Sequence, residues 1–182
     1  MKRLQKAAVL AKLVDRMRDS GSWCGETHVQ KAVYFLQVLL GVPTEYLFIL
    51  YKHGPFSFDL RDEITDFRAY ELFRLEPQRP PYGPRLNTTP NVDKVKGLYP
   101  KTLDKLDKQI GFVAEKLDGK GVAELERLAT ALYVTRLLSA TDIQRRVREI
   151  RALKPHVTKD LAYEAVREFD QLHEEAKGFI LR

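Results

Sequence analysis

One cysteine and one tryptophan occur among 182 residues, and no apolar run approaches the length of a membrane span. A lone Cys24 excludes a disulfide framework or a zinc knuckle within the chain, and it suits a reducing compartment. Met1-Lys2-Arg3 imitates the start of a signal peptide, but Lys6, Lys12 and Asp15 break the apolar run that should follow. Crossing a bilayer takes about 18 uninterrupted apolar residues, so a cytoplasmic protein is expected. Neither glycine-rich phosphate fingerprint is present, which removes the usual cradle for nucleotides. His28, His53, His156 and His173 lack a second ligand at a recognised metal spacing. No metal and no cofactor is therefore expected.

Nucleophile chemistry fares no better. Ser57 follows His53 by four residues, but no G-x-S-x-G elbow surrounds it and it reads as a helix cap. Asp59, Asp62 and Glu63 fall in the opening turns of the same helix, where carboxylates complement the dipole. Cys24 has no basic neighbour in sequence to lower its pKa. A non-enzymatic protein is the expectation. The bland reading of His53 is an imidazole satisfied by a backbone group at a turn.

The composition is 44% hydrophobic and 31% charged, with a net charge of +6, as in an ordinary folded domain. Split at Asn91, each half carries +3, so there is no basic tail. The organising stretch runs from Thr27 to Leu60. Val29, Ala32, Val33, Leu36 and Leu40 share one helical face, while Tyr34, Phe35 and Val38 make the other side apolar too. Such a helix is enclosed. Thr27 and Gln30 have the spacing of a capping box, and Gly41 and Pro43 supply the stop. Tyr46 to Lys52 predicts a strand covered on both faces, turned by Gly54-Pro55 into a helix with Leu60, Ile64 and Phe67 inward.

Before that stretch, Leu4, Ala7, Leu10, Ala11, Val14 and Met17 predict a first helix stopping near Gly21. After it, Leu72 to Glu76 alternates, and residues 77–90 hold five of the nine prolines, which predicts a hairpin-like projection with a poorly paired tip. Four helices follow: one through Leu103, Leu106, Ile110 and Val113 to a stop at Gly119, and one through Leu125, Ala129 and Leu132. A third is capped by Thr141 and a last by Thr158, with Lys154-Pro155 between them. The expected fold is mostly α with a small β element (α+β). It is a single domain, 1–182, whose winged-helix-like half (1–91) packs on a helical half (92–182).

Two surfaces suit nucleic acid. Arg136 to Lys154 carries a local charge of +4, with Arg145, Arg146, Arg148 and Arg151 opposite Ile143, Val147 and Ile150. The alternative to phosphate binding is a solvated face whose arginine stems cover the core edge, and this is preferred. Arg79, Tyr82 and Arg85 on the projection are placed as a wing would be, but Asp59, Asp62, Glu63 and Asp66 on the preceding helix would repel a duplex.

The helix motif K-A-V-Y-F-L-Q (Lys31 to Gln37), followed by Y-K-H-G-P-F-S (Tyr51 to Ser57), resembles the Panacea domain. That group includes SocA-like antitoxins and the similar YwgA-like proteins. Lys31, Tyr34, Phe35, Lys52, Gly54 and Pro55 match its recurring positions, with His53 replacing the usual tyrosine. The likeness covers about residues 4–76, and L-A-T-A-L-Y (Leu128 to Tyr133) and L-K-P-H (Leu153 to His156) resemble the YwgA-like branch. The resemblance implies a protein that binds another protein: an antitoxin neutralising a companion toxin encoded nearby, or an adaptor presenting a partner to a protease. It transfers no catalytic residues. Lys31, Tyr34 and Phe35 are read as structural in preference to contact residues. Tyr51, Lys52, His53 and Phe56, at an exposed corner, are the expected partner contacts. A winged-helix nucleic-acid binder is the alternative.

Overall fold

Alternating small and branched residues let the first helix, α1 (Arg3–Asp19), sit deep in the molecule: Ala7, Ala8, Ala11, Leu10, Leu13 and Val14 are all buried. A computed structural model of the chain describes residues 1–139 and 142–181. Among them it has eight α-helices and two small antiparallel sheets, a mostly helical α+β architecture as the apolar periodicities require. The elements run α1, α2 (Glu26–Tyr34), β1 (Ile49–Tyr51), β2 (Gly54–Phe56), α3 (Phe58–Ala69), β3 (Phe73–Glu76) and β4 (Arg85–Thr88). Then come α4 (Val92–Leu98), α5 (Pro100–Lys116), α6 (Val122–Leu138), α7 (Ile143–Leu153) and α8 (Lys159–Ala176). α1 packs on α4 and α5, while α6, α7 and α8 pack on one another and α6 also receives α2 and β2. One apolar cluster runs through both halves, from Ala7 on α1 to Ala176 on α8.

The central helix differs from the expectation at its start and in its last turn, and stops at Gly41 as expected. Its N-cap is Gly25, not Thr27. Gln30 is no capping partner: its amide donates to the Ser57 carbonyl and accepts from the Ser57 N–H, both at 2.9 Å. A buried amide with two backbone partners at hand satisfies them before it turns back on its own helix. Beyond Tyr34 the chain widens into a π-helical turn, Phe35–Leu39, closed by Leu40 N–H on the Phe35 carbonyl at 3.2 Å. Gly41 ends it at φ +75°, where a Cβ would meet the Leu181 carbonyl at 3.0 Å.

The strand expected from Tyr46 to Lys52 shrinks to three residues. It is covered on one face only. Phe48 packs inward against Tyr34, while Leu47 (71% exposed), Ile49 and Tyr51 face out. The turn itself is Lys52-His53, with Gly54 and Pro55 already inside β2. Ser57 caps α3 through Oγ on the Leu60 N–H, as its type and place predict.

Within the proline-rich stretch Arg85–Thr88 forms β4, the second strand of the expected hairpin, paired to β3 from Phe73↔Thr88 to Glu76↔Arg85. The tip is unpaired, and it does not project freely: Tyr82 stacks on Trp23 and Leu86 N–H bonds the Cys24 carbonyl. α4 is an addition to the four C-terminal helices read from the sequence. Thr158 caps α8 through the Leu161 N–H. The expected cap at Thr141 lies outside the described residues, and Asp142 caps α7 through the Arg145 N–H.

Candidate functional site

Two buried lysines, one buried glutamate and two histidines converge beneath the β1–β2 corner. Lys31 projects from α2 at 1% exposure, its Nζ donating to the Pro55 carbonyl at 2.9 Å. Lys154, just past the end of α7, donates to the Tyr51 and Lys52 carbonyls at 2.7 and 2.5 Å. Both ammonium groups therefore bond peptide oxygens of the hairpin, and the countercharge comes from Glu126 on α6. Its Oε1 lies 3.0 Å from Lys154 Nζ. Glu126 is buried with the lysines, so three charged groups share a site largely shut from water.

Buried charges are tolerated only when paired and hydrogen-bonded. Two cations against one carboxylate leave the balance short. Burial accordingly pulls the Lys31 ammonium down to about 8, with the Glu126 charge opposing that shift and Lys154 adding to it. His53 Nδ1 at 3.4 Å and His156 Nε2 at 3.6 Å approach the same carboxylate from the solvent side. His53 thus faces a carboxylate, correcting the expected backbone partner. A side-chain anion lay within reach, and it comes from a residue 73 positions away in the chain.

Gly54 allows this approach. At φ +80° it occupies left-handed backbone, and a Cβ there would sit 3.3 Å from both the Glu126 carbonyl and Thr130 Oγ1. Gly54 is therefore a packing requirement between hairpin and α6. Lys31, Tyr34 and Phe35 are all buried.

Above the charges lies an apolar surface. Tyr51, Phe56 and Phe58 form a triangle with ring centroids 5.1 to 5.7 Å apart, and Leu47 and Ile49 extend it along the strand. Tyr51 is 49% exposed, and Phe58 is exposed beneath the Arg61 guanidinium, 5.0 Å from its ring. Lys52 and His53 stand exposed at the tip. Tyr51, Lys52, His53 and Phe56 are brought together as the sequence suggested. Sequence reading missed Leu47 and Ile49, whose exposure contradicts a doubly covered strand, and Phe58 at the start of α3. It also missed Glu126 and Lys154, because nothing local pairs residues so far apart.

The basic residues separate. On α7, Arg145, Arg148 and Arg151 are exposed, but Arg146 is 2% exposed and grips Asp170 with two hydrogen bonds of 2.6 and 2.7 Å. Arg79 is exposed on the β3–β4 loop, and Arg85 lies over the Trp23 ring at 3.8 Å. Burial drives the Cys24 thiol up to about 12, so it stays protonated at neutral pH. Among the described residues no helix is long and apolar enough to cross a membrane, and no three His, Cys, Asp or Glu side chains are grouped to hold a metal ion. No protein-family model matches the chain, and no curated protein matches it closely enough to count as a relative.

Proposed function

We propose that the chain is a non-enzymatic protein-binding module acting in the cytoplasm. On this reading it neutralises or presents a partner by direct contact, in the manner of the antitoxins and proteolytic adaptors its central motif resembles. The observation that carries the reading is the exposed strip Leu47, Ile49, Tyr51 and Phe58 along and beside a hairpin anchored from below by the buried Lys154–Glu126 ion pair. A rigid aromatic surface loses little conformational freedom on binding, and such residues supply most interface energy. Lys52, His53 and Arg61 border the strip, so the partner face it fits is apolar with an acidic margin.

A tagged pull-down from nuclease-treated native lysate tests this, run beside Ile49→Asp and Tyr51→Ala. One companion protein at near-equal amount, lost with Ile49→Asp and weakened with Tyr51→Ala by about 2 kcal/mol, is the expected outcome. If only nucleic acid is retained, and charge reversal at Arg145 and Arg148 abolishes it, the reading fails and the winged-helix alternative replaces it.

A further inference from the structure

The two faces of α3 carry opposite charge, and the basic one looks into a cavity. On one side Glu63 accepts from the Tyr46 hydroxyl and lies 3.7 Å from Arg3, while Asp66 pairs with the Arg3 guanidinium. These acids are already answered by the protein. On the other side Arg61, Ile64, Thr65 and Arg68, at helical spacing, line a groove of 510 Å³ against the β3–β4 hairpin and the start of α2. Its volume falls in the range of sites for small organic molecules, about 300–1,000 Å³.

The groove has an apolar bed and cationic ends. Ile64, Leu75, Leu86 and Trp23 supply the bed. Arg61 and Arg68 are seven residues apart, roughly 10 Å along the helix. Arg61 pairs with its neighbour Asp62, whereas the Arg68 guanidinium has no partner among the described residues. Trp23 is held in place by Tyr82, with centroids 4.9 Å apart, and by the Arg85 cation 3.8 Å over its ring. A second, independent observation marks the site. His28 also lines it, is 94% buried, and has an Nδ1 with no hydrogen-bond partner. Only a few other buried side-chain atoms among the described residues share that state, Gln109 Oε1 being one. Exposed Glu26 is the one carboxylate lining the groove.

We propose that this groove binds a small amphiphilic anion: an aromatic or aliphatic body no larger than a mononucleotide, carrying a single carboxylate or phosphate. The head group takes Arg68, whose planar guanidinium matches either oxyanion. The body lies on the bed between α3 and the hairpin, against Trp23. The groove shares Arg61 with the margin of the β1–β2 strip, but Arg68 and the apolar bed belong to the groove alone.

Trp23 is the only tryptophan in the chain, so its emission reports from the groove wall without labelling. The test titrates wild-type protein with decanoate and with adenosine monophosphate, each beside its neutral counterpart, decanol and adenosine, and with inorganic phosphate. A saturable emission change is expected with at least one of the two anions below the low millimolar range. Its neutral counterpart should bind at least about tenfold more weakly, and Arg68→Ala should lose about tenfold, as for a charged hydrogen-bonded pair. Decanoate against adenosine monophosphate decides between a carboxylate and a phosphate head, and phosphate alone should bind too weakly to saturate. Arg68 is exposed, so its replacement leaves the core intact, and Tyr51→Ala should leave the titration unchanged. No saturable change with either anion, or a change that the neutral compounds and Arg68→Ala reproduce, overturns the proposal.

Discussion

The β1–β2 hairpin pairs three residues with three and the β3–β4 hairpin four with four, and an isolated hairpin of either size is marginal in water. Both therefore borrow stability from the helices, by different means. The first is held by charge, with Lys31 and Lys154 on its carbonyls and Glu126 behind them. The second is held by scattered contacts at its edge and tip: Leu86 N–H on the Cys24 carbonyl, Thr88 Oγ1 on Asp15, and Tyr82 on Trp23. A hairpin pinned entirely from beneath can leave its outer apolar face bare, and β1–β2 does so. A hairpin pinned at its edge and tip becomes a wall, and β3–β4 closes one side of a groove.

The sharpest way to break the contrast is to remove the buried charge that only the first hairpin depends on. Glu126→Ala leaves two buried ammonium groups without a countercharge and should cost about 3–5 kcal/mol in denaturant unfolding. The double replacement Glu126→Leu with Lys154→Met should cost clearly less, since an apolar pair of similar volume removes the burial penalty as well. An equal loss in both variants would mean that the ion pair itself, not the stranded charge, carries the stability.

Lys31 gives the same contrast a pH dependence. Its folded pKa of about 8 lies below the unfolded value of 10.5, so between them the unfolded chain holds the proton and the folded chain does not. Stability should then rise with pH across that window, and the penalty is fully present below pH 8. The rise amounts to at most roughly 3 kcal/mol, and it should vanish from the difference curve against Lys31→Met. A parallel pair of curves would show that Lys31 does not titrate early.

Glycines separate the hairpins more finely. Gly54→Ala forces a Cβ into left-handed backbone against α6 and should cost about 1–2 kcal/mol, read as a lowered denaturant midpoint. Gly83→Ala, in the open loop of the second hairpin with nothing within 4 Å of its Cβ, should change stability by less than about 0.5 kcal/mol. Thr88→Val, between these two in size, removes the hydroxyl bond to Asp15 and should cost about 1 kcal/mol or less. Faster amide exchange should then be confined to β3 and β4, with the amides of β1 and β2 unmoved. Exchange that quickens in both would show the hairpins to be one cooperative unit.

Legibility followed the range of the interaction. Ser57 and Thr158 were readable as caps because an N-cap bonds a backbone N–H within its own first turn, so type and place suffice. Thr27 was misread as a cap because the competing partner of Gln30, the Ser57 backbone, lies 27 residues away. Tyr46 to Lys52 was rightly given strand character. Its coverage was wrong because apolar residues on both faces of a short strand look alike whether the outer face meets a neighbour or water. The hairpin itself is legible, but the bounds of its second strand, Arg85–Thr88, are not, because flanking prolines spoil the alternation signal without spoiling the four-residue ladder. Within the candidate site, Tyr51, Lys52, His53 and Phe56 were visible because they are contiguous. Glu126, Lys154 and His156 were not.

What the amino-acid order settles alone is therefore local: the helices from their apolar periodicity, their ends from caps and glycines, and the absence of a disulfide framework from a single cysteine. Tertiary structure decided which buried lysine meets which carbonyl, which of the candidate arginines is swallowed by Asp170 or laid on Trp23, and which strand face stays bare. The physical reason is that periodicity encodes that a face is buried. The identity of what buries it depends on the crossing of helices far apart in the chain, and charge pairing in a dry interior follows from that packing.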